Sequence, residues 1–264
     1  MIKMKPFIEV KGNLEEHFGE MRMAAENVPL PQALNRVLSQ DVIAAAYIPN
    51  FDRSAVDGYA VIIDDLKDCS PTSPAILKMI GSVKMGSPTD FSIKRGQCAY
   101  VPTGGKVPNG TEAMVMREET KDLGDGFIQF ERSYAVKLNL ILRGEDMKPG
   151  TIVEPAGKRL KIADIGTLAA MGLLTVPVMK RPRVALISTG DELVPATEPV
   201  LQIGQIRDVN SPMLYQAILA NGGEPQLYGI VKDDYNVIRS SILTAIANCD
   251  LLLISGGTSI DEKD

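Results

Sequence analysis

At 264 residues, with 45% hydrophobic and 23% charged side chains, the chain has the make-up of a soluble globular protein and room for two domains of roughly 150 residues each. Its formal net charge of −5 argues against nucleic acid as the main partner, because phosphate backbones are gripped by basic surfaces. A single histidine, His17, and three isolated cysteines, Cys69, Cys98 and Cys249, exclude Ser-His-Asp and Cys-His chemistry, His-rich metal sites and Cys-x-x-Cys motifs; the cysteines read as buried small hydrophobes.

From the N-terminus, residues 14–26, LEEHFGEMRMAAE, have a helical composition interrupted by Gly19. Residues 32–41, QALNRVLSQD, place Ala33, Leu34, Val37 and Leu38 on one side of a short amphipathic helix. Both are read as packing elements. The stretch 48–62, IPNFDRSAVDGYAVI, joins turn-forming residues to a strand that starts at Tyr59. Asp57 is there either for its turn propensity or as part of a binding loop. Ala75 to Tyr134 reads as short strands parted by Gly, Pro and charged turns, AILKMIG, QCAYVPTG, AMVMREE and FIQFE, hence a compact β-rich insert. Within it Val101-Pro102-Thr103-Gly104-Gly105 is a second candidate loop, although threonine in such a turn is more often structural. LRGEDMKPG carries Arg143, Glu145 and Asp146 in a turn, IADIGTLAAM forms a short helix ended by Gly172, and LLTVPVM runs into a strand. Arg181-Pro182 marks a domain boundary.

Beyond it, RVALISTGD reads as a buried strand of a parallel sheet that stops at small and acidic residues. EPQLYGI and DLLLIS repeat the pattern, giving way to Lys232-Asp233-Asp234 and Gly256-Gly257-Thr258-Ser259. Between the strands, Ser211 as N-cap and Pro212 at the first helical position open a helix closed by Gly222-Gly223, and Asp233 or Asp234 caps a second, YNVIRSSILTAIAN. Right-handed crossovers would make the strands parallel and bring their carboxyl ends to one edge, where open α/β sheets bind ligands. Asp191, Glu192, Asp233, Asp234 and the glycine loop are therefore expected to line one cleft. The loop offers N–H groups and hydroxyls to a phosphate, and the carboxylates can hold Mg²⁺ against it. This points to metal-assisted chemistry on a phosphorylated substrate. No run reaches the ~20 apolar residues of a membrane span, the N-terminus is unlike a signal peptide, and a cytoplasmic setting is expected.

The ordered phrases PNFDRSAVDGYAV, PTGGKVPNGTEAMVM, RGEDMKPG, ADIGTLAAMG, RPRVALISTGDEL, GQIRDVNSPML and SGGTS make the chain similar to the MoeA family of molybdopterin molybdotransferases, whose animal relative is the C-terminal domain of gephyrin. The resemblance covers most of residues 28 to 264. It implies a multidomain fold of α/β plus β-rich domains. A linking domain would span 1–47 and 142–180, a β-rich domain 48–141, and an incomplete MogA-like α/β molybdopterin-binding domain 181–264.

The implied reaction in molybdenum cofactor biosynthesis is Mg²⁺-dependent insertion of molybdate into adenylylated molybdopterin, with release of AMP. The implied assembly is a homodimer with its active site across the interface, acting on a small pterin substrate, with a MogA-type adenylyltransferase as a candidate partner. Carried over by motif, the catalytic positions are Asp57, Thr103, Asp146, Glu192, Asp233 and Asp264, with Asp233 and Asp264 on the metal. Substrate contacts fall to Gly190, Asp208, Asn210, Ser211, Ser255, Gly256, Gly257, Thr258 and Ser259. Two departures stand out. Asp261 replaces a glycine usual in the family's loop, and the chain stops at Asp264, before the family's C-terminal β-barrel. The alternative is therefore a truncated, non-catalytic molybdopterin-binding or dimerisation module. A stand-alone MogA-type protein is disfavoured by the DGYAV segment.

Overall fold

The structure is a computed structural model and describes residues 5–256. Helix α1 (Phe7–Phe18) precedes strand β1 (Ala25–Pro29). Ten short strands follow: β2 (Val42–Ile43), β3 (Arg53–Ser54), β4 (Gly58–Val61), β5 (Ala75–Ser82), β6 (Gln97–Val101), β7 (Ala113–Met116), β8 (Thr120–Asp122), β9 (Phe127–Phe130), β10 (Leu140–Ile141) and β11 (Ile152–Glu154). Then come α2 (Ile162–Ala170), β12 (Thr175–Met179), β13 (Arg183–Thr189), β14 (Leu193–Val194), β15 (Ile206–Arg207), α3 (Asn210–Ala220), β16 (Glu224–Val231), α4 (Tyr235–Ile246) and β17 (Leu251–Ser255). They form two compact units: residues 41–154 with 170–172, and the described parts of 1–40, 155–169 and 173–264. This is the mixed α/β and sheet-rich architecture expected from the sequence. Among the described residues no helix is long and apolar enough to cross a membrane.

The unit 41–154 is built on a six-stranded sheet in the order β7-β4-β6-β5-β9-β8. Strand β4 has all four residues buried because both faces of the sheet are packed. Successive side chains of a strand point to opposite faces. Tyr59 and Val61 accordingly meet Leu77, Ile128 and Phe130, while Ala60 packs with Ala99, Val101 and Met114 on the other side. The Tyr59 ring meets those of Tyr100 and Phe130 edge-on at 5.7 and 6.2 Å, the geometry favoured by the ring quadrupoles. Gly58 lies so close to β7 that a Cβ there would sit 2.0 Å from the Val115 carbonyl oxygen. The glycine of the DGYAV phrase is thus required by backbone approach. Cys98 is fully buried in this core and burial pushes its thiol up to about 12, which leaves it without thiolate reactivity.

In the other unit, β13 pairs in parallel with β16 on one edge and β17 on the other. Six of its seven residues are buried. Ala185 and Ile187 face α4 through Ala245, Ile238 and Ile242, while Val184 and Leu186 face α3 through Ile218 and Leu214. The two helices therefore cover opposite faces. The chain steps from β13 to β16 on one side and then returns to β17 on the other, so the strand order reverses at β13.

Helix α3 is capped differently from the sequence expectation. Asp208, not Ser211, accepts the amides of Asn210 (3.1 Å) and Ser211 (3.0 Å). Burial works against ionisation of Asp208. The hydrogen bonds from Ser211, Ser188 and Asn210 outweigh it and hold the carboxyl below its usual range. Helix α4 is capped by Asp234, which accepts the amides of Asn236 and Val237 at 2.9 and 3.0 Å.

Two expected N-terminal helices are corrected. The first helix spans Phe7–Phe18 rather than 14–26, and Ala25–Pro29 is a strand paired antiparallel with β12. Residues 32–41 do not continue as a helix beyond a short 3-10 turn at Leu30–Gln32. Asn35 takes a left-handed φ of 62°, and the amides of Asn35, Leu38 and Ser39 donate to carbonyls of Leu160, Lys158 and Pro177. Tertiary pairing outweighs a weak helical preference there.

Two outcomes follow. Asp208→Ala should lower unfolding stability near neutral pH by about 1–2 kcal/mol, the range for loss of a helix cap. Because the folded-state pKa is depressed, that stabilisation is present above the ordinary aspartate range and is lost as pH falls through the folded value. Urea titrations at stepped pH should show the gap between the two proteins closing in acid; a constant gap contradicts the capping role. Gly58→Ala should destabilise the β-rich unit by about 3 kcal/mol, the upper end of the usual cost of overpacking, and a transition midpoint unchanged from wild type contradicts the close approach.

Candidate functional site

The carboxyl ends of β13 and β16 lie side by side, and the chain leaves them in opposite directions, towards α3 from β13 and towards α4 from β16. Such divergence opens a crevice at the strand ends. Two loops meet across it. The Asp191 amide donates to Asp233 Oδ2 at 3.3 Å, the Asp233 amide donates to Asp191 Oδ1 at 3.4 Å, and Lys232 Nζ donates to the Asp191 carbonyl at 2.9 Å. The Gly190 amide donates to the carbonyl of Val231 at 3.2 Å. Acidic residues 42 positions apart in sequence are thereby held together. Glu192 folds its carboxylate back over Gly190, 2.8 Å from where a Cβ would sit, and makes no side-chain hydrogen bond among the described residues.

The third strand end joins the same edge. Asn210 Nδ2, at the start of α3, donates to Ser255 Oγ at 2.6 Å. Ser188 and Ser211 share a hydroxyl hydrogen bond of 2.9 Å beneath it. Gly256 has φ +124°, and a Cβ there would lie 2.3 Å from Thr189 Oγ1. Only glycine lets the chain pass so close to the end of β13. Asp208 is buried and turned towards the α3 amides, so it positions Asn210 and Ser211. Asp234 is exposed but taken up in capping α4, leaving Asp191, Glu192 and Asp233 as the exposed carboxylates of the edge that cap no helix. Gly257, Thr258, Ser259 and Asp264, and with them Asp261, lie outside the described residues.

Beside this edge is a cavity of 770 Å³ bounded by the Leu193–Thr197 loop, by Ser211 and Tyr215 of α3, and by Leu227, Gly229, Ile230 and Lys232. Its size is that of a small-molecule pocket. A register irregularity of β16 opposite Leu186/Ile187 shapes its wall. Neither the cavity nor the part played by Lys232 was drawn from the sequence. The lysine beside two aspartates was the available signal, and the serine within the apolar run of β13 was the signal for the Ser188–Ser211 pair.

Asp57, Thr103 and Asp146 belong to the other unit. The structure brings the first two together: the Thr103 amide and hydroxyl both donate to Asp57 Oδ1, at 2.7 and 3.1 Å. The ambiguous aspartate of the DGYAV phrase and the threonine of the PTGG turn thus form one exposed cluster. Asp146 is exposed; its amide is held by the Ile48 carbonyl at 3.0 Å. The surrounding turn is fixed by Asp52 Oδ1, which accepts the Arg143 amide at 2.6 Å, and by the Arg143 guanidinium 4.1 Å above the Tyr47 ring.

Comparison with known proteins matches two successive regions. Residues 8–172 match the MoeA N-terminal region (domain I and II), and residues 185–264 match the probable molybdopterin binding domain. A molybdopterin molybdenumtransferase of Nostoc sp. is 36% identical over 239 residues, covering 90% of this chain and 54% of its own length. The protein of the same name from Bacillus subtilis is 31% identical, with 90% and 56% covered. Among solved structures, the molybdopterin biosynthesis moeA protein of Pyrococcus horikoshii OT3 superposes with a TM-score of 0.89 at 34% identity, over 97% of this chain and 67% of that one. The chain spans about half the length of the curated relatives it matches, 54% for the Nostoc protein. With both of its regions matched in order, the chain belongs to the MoeA family.

Proposed function

We propose that this chain carries the molybdopterin-handling part of a molybdotransferase in molybdenum cofactor biosynthesis, one that inserts molybdate into adenylylated molybdopterin with release of AMP. The observation that supports it is the gathering of Asp191, Glu192, Asp233, Asn210, Ser255 and Gly256 at the carboxyl edge of one sheet. Relatives that share most of this chain are named for the corresponding transfer.

In this reading Ser255 and the glycine loop hold a phosphate of the substrate, with Asn210 fixing the serine hydroxyl. Asp208 keeps the start of α3 in place and, by neutralising its first amides, leaves the phosphate to the loop. The cavity beside α3 gives the pterin ring an apolar wall that includes Tyr215. Glu192, with its carboxylate unengaged, orients the substrate.

The donor set suits Mg²⁺. Asp191 and Asp233 supply hard carboxylate oxygens, and Mg²⁺ is commonly held by only one or two protein carboxylates together with phosphate and water. This is compatible with finding no cluster of three or more acidic, histidine or cysteine ligands among the described residues. Asp233 would hold the ion together with Asp264, and when bound it would neutralise charge on the phosphate during transfer.

The second part of the site is proposed to come from another copy of the chain. The exposed Asp57–Thr103 cluster, with Asp146, would complete the pocket across a homodimer interface. The linking domain, residues 1–47 with 142–180, would set the spacing, and a MogA-type protein would deliver the adenylylated pterin. Cytoplasmic location follows from the same reading.

Glu192→Ala in the full-length protein should lower kcat/KM for cofactor release by about 100-fold or more, the scale for a misplaced substrate. Release at the wild-type rate contradicts its role. Mixing Asp57→Ala and Glu192→Ala subunits tests the shared site. Random C2 pairing makes half of the dimers mixed, each with one intact site, so activity should recover to about a quarter of wild type. No recovery in verified mixed dimers places both residues in one subunit's site.

A further inference from the structure

At the opposite edge of the same unit lies a second cavity, of 570 Å³, where Met21–Met23, the turn at Asn35–Val37, Ala156, Gly157 and Arg159, the Met179–Pro182 connection and Asn221-Gly222 come together. It sits at the amino-terminal ends of β13 and β16, because Pro182 directly precedes Arg183 and the pair Arg183↔Glu224 starts the ladder. Strand β13 has seven residues, which at ~3.3 Å per residue puts roughly 20 Å between this cavity and the acidic edge.

Five cationic side chains line it: Arg22, Arg36, Arg159, Lys180 and Arg181. No carboxylate does so among the described residues. Arg36 is neutralised, since it is buried, pairs with Glu26 and donates to the Met179 carbonyl at 2.8 Å. The other four have no ion pair among the described residues. Arg22 and Arg159 donate only to backbone carbonyls, the latter to Asn221 at 2.5 Å, and these bonds orient the guanidinium groups without neutralising them. Lys180 and Arg181 have no side-chain hydrogen bond or ion pair among the described residues and are exposed. The adjoining hollow adds Glu26, Asp250 and Glu224. Glu26 is taken by Arg36, and Asp250 is taken by Arg183, whose hydrogen bonds hold its carboxyl below the usual range.

In a chain with a net charge of −5, Arg22, Arg159, Lys180 and Arg181 gather around one concavity with Glu224 of the adjoining hollow the one carboxylate left unpaired beside them among the described residues, an excess of positive charge that an anion would relieve. Arginine forks and lysine ammonium groups are the donors that recognise phosphate. Met21, Met23 and Met179 line the same cavity and give it a soft, polarisable wall suited to a flat ring. We propose that this basin is a binding site for a small organic phosphate, a nucleotide or a compound of that kind, held by Arg22, Arg159, Lys180 and Arg181. It is separate from the acidic edge and does not depend on the transferase reading.

The test is a backbone amide NMR titration of the chain with ADP in Mg²⁺-free buffer, paired with calorimetry on the Lys180→Ala/Arg181→Ala double variant. Both side chains are exposed and have no side-chain partner among the described residues, so the variant should keep its melting temperature. Saturable shifts at Gly157, Arg181 and Gly222, with affinity reduced about tenfold or more in the double variant and unchanged in Asp233→Ala, support the site. No saturable shifts, shifts confined to residues 190–192 and 255–256, or equal affinity in the double variant overturn it.

Discussion

A strand that is hydrogen-bonded on both edges and covered by helices on both faces has no side open to water, and β13 is such a strand. Its interior must be apolar, and any polar side chain it carries must find a partner within the fold. Ser188 meets this condition through Ser211. Beyond Gly190 the chain emerges from cover, and Asp191 and Glu192 are the first residues free to meet solvent. The same burial aligns β16 and β17 in register beside it, so their emerging loops arrive at one edge. The meeting of Asp191 with Asp233, and of Asn210 with Ser255, follows from how deeply β13 is enclosed.

Much of this was legible in the sequence because the burial that causes it leaves a local mark. VALIS is a run no exposed strand would carry, and the helices on either side were punctuated by their own turn residues. The short strands of the β-rich unit were readable in the same way. The boundary at β1 was not legible. AENVP has little strand character, and its partner β12 lies about 150 residues downstream, so pairing rather than propensity decides its shape. Residues 32–41 show the same override, with Asn35 turned left-handed by carbonyls far away in sequence. The cap of α3 was misread for a subtler reason. Asp208 and Ser211 are both good caps, and the choice falls to Asp208 because its carboxylate reaches two amides while the serine hydroxyl is drawn to Ser188.

Asp57 and Thr103 show how far local reading can go. Each was ambiguous on its own, a turn former and a turn threonine. Their mutual hydrogen bonds resolve what each is bonded to but not what the cluster serves. That lies in the proposed assembly, since the cluster and the acidic edge belong to different units. The basic basin at the other end of β13 is a further case of information spread across the chain. Arg22, Arg159 and Arg181 come from three separate segments, and nothing in any one of them marks a site.

The central claim is that the carboxyl edge of the β13 sheet is where the substrate phosphate sits. A crystal structure of the full-length protein with AMP and Mg²⁺ tests it most directly. The account predicts the phosphate within hydrogen-bonding distance of Ser255 and Gly256, with the ion between it and Asp233. A nucleotide bound elsewhere, with the Asp191–Asp233 loops empty, would contradict it.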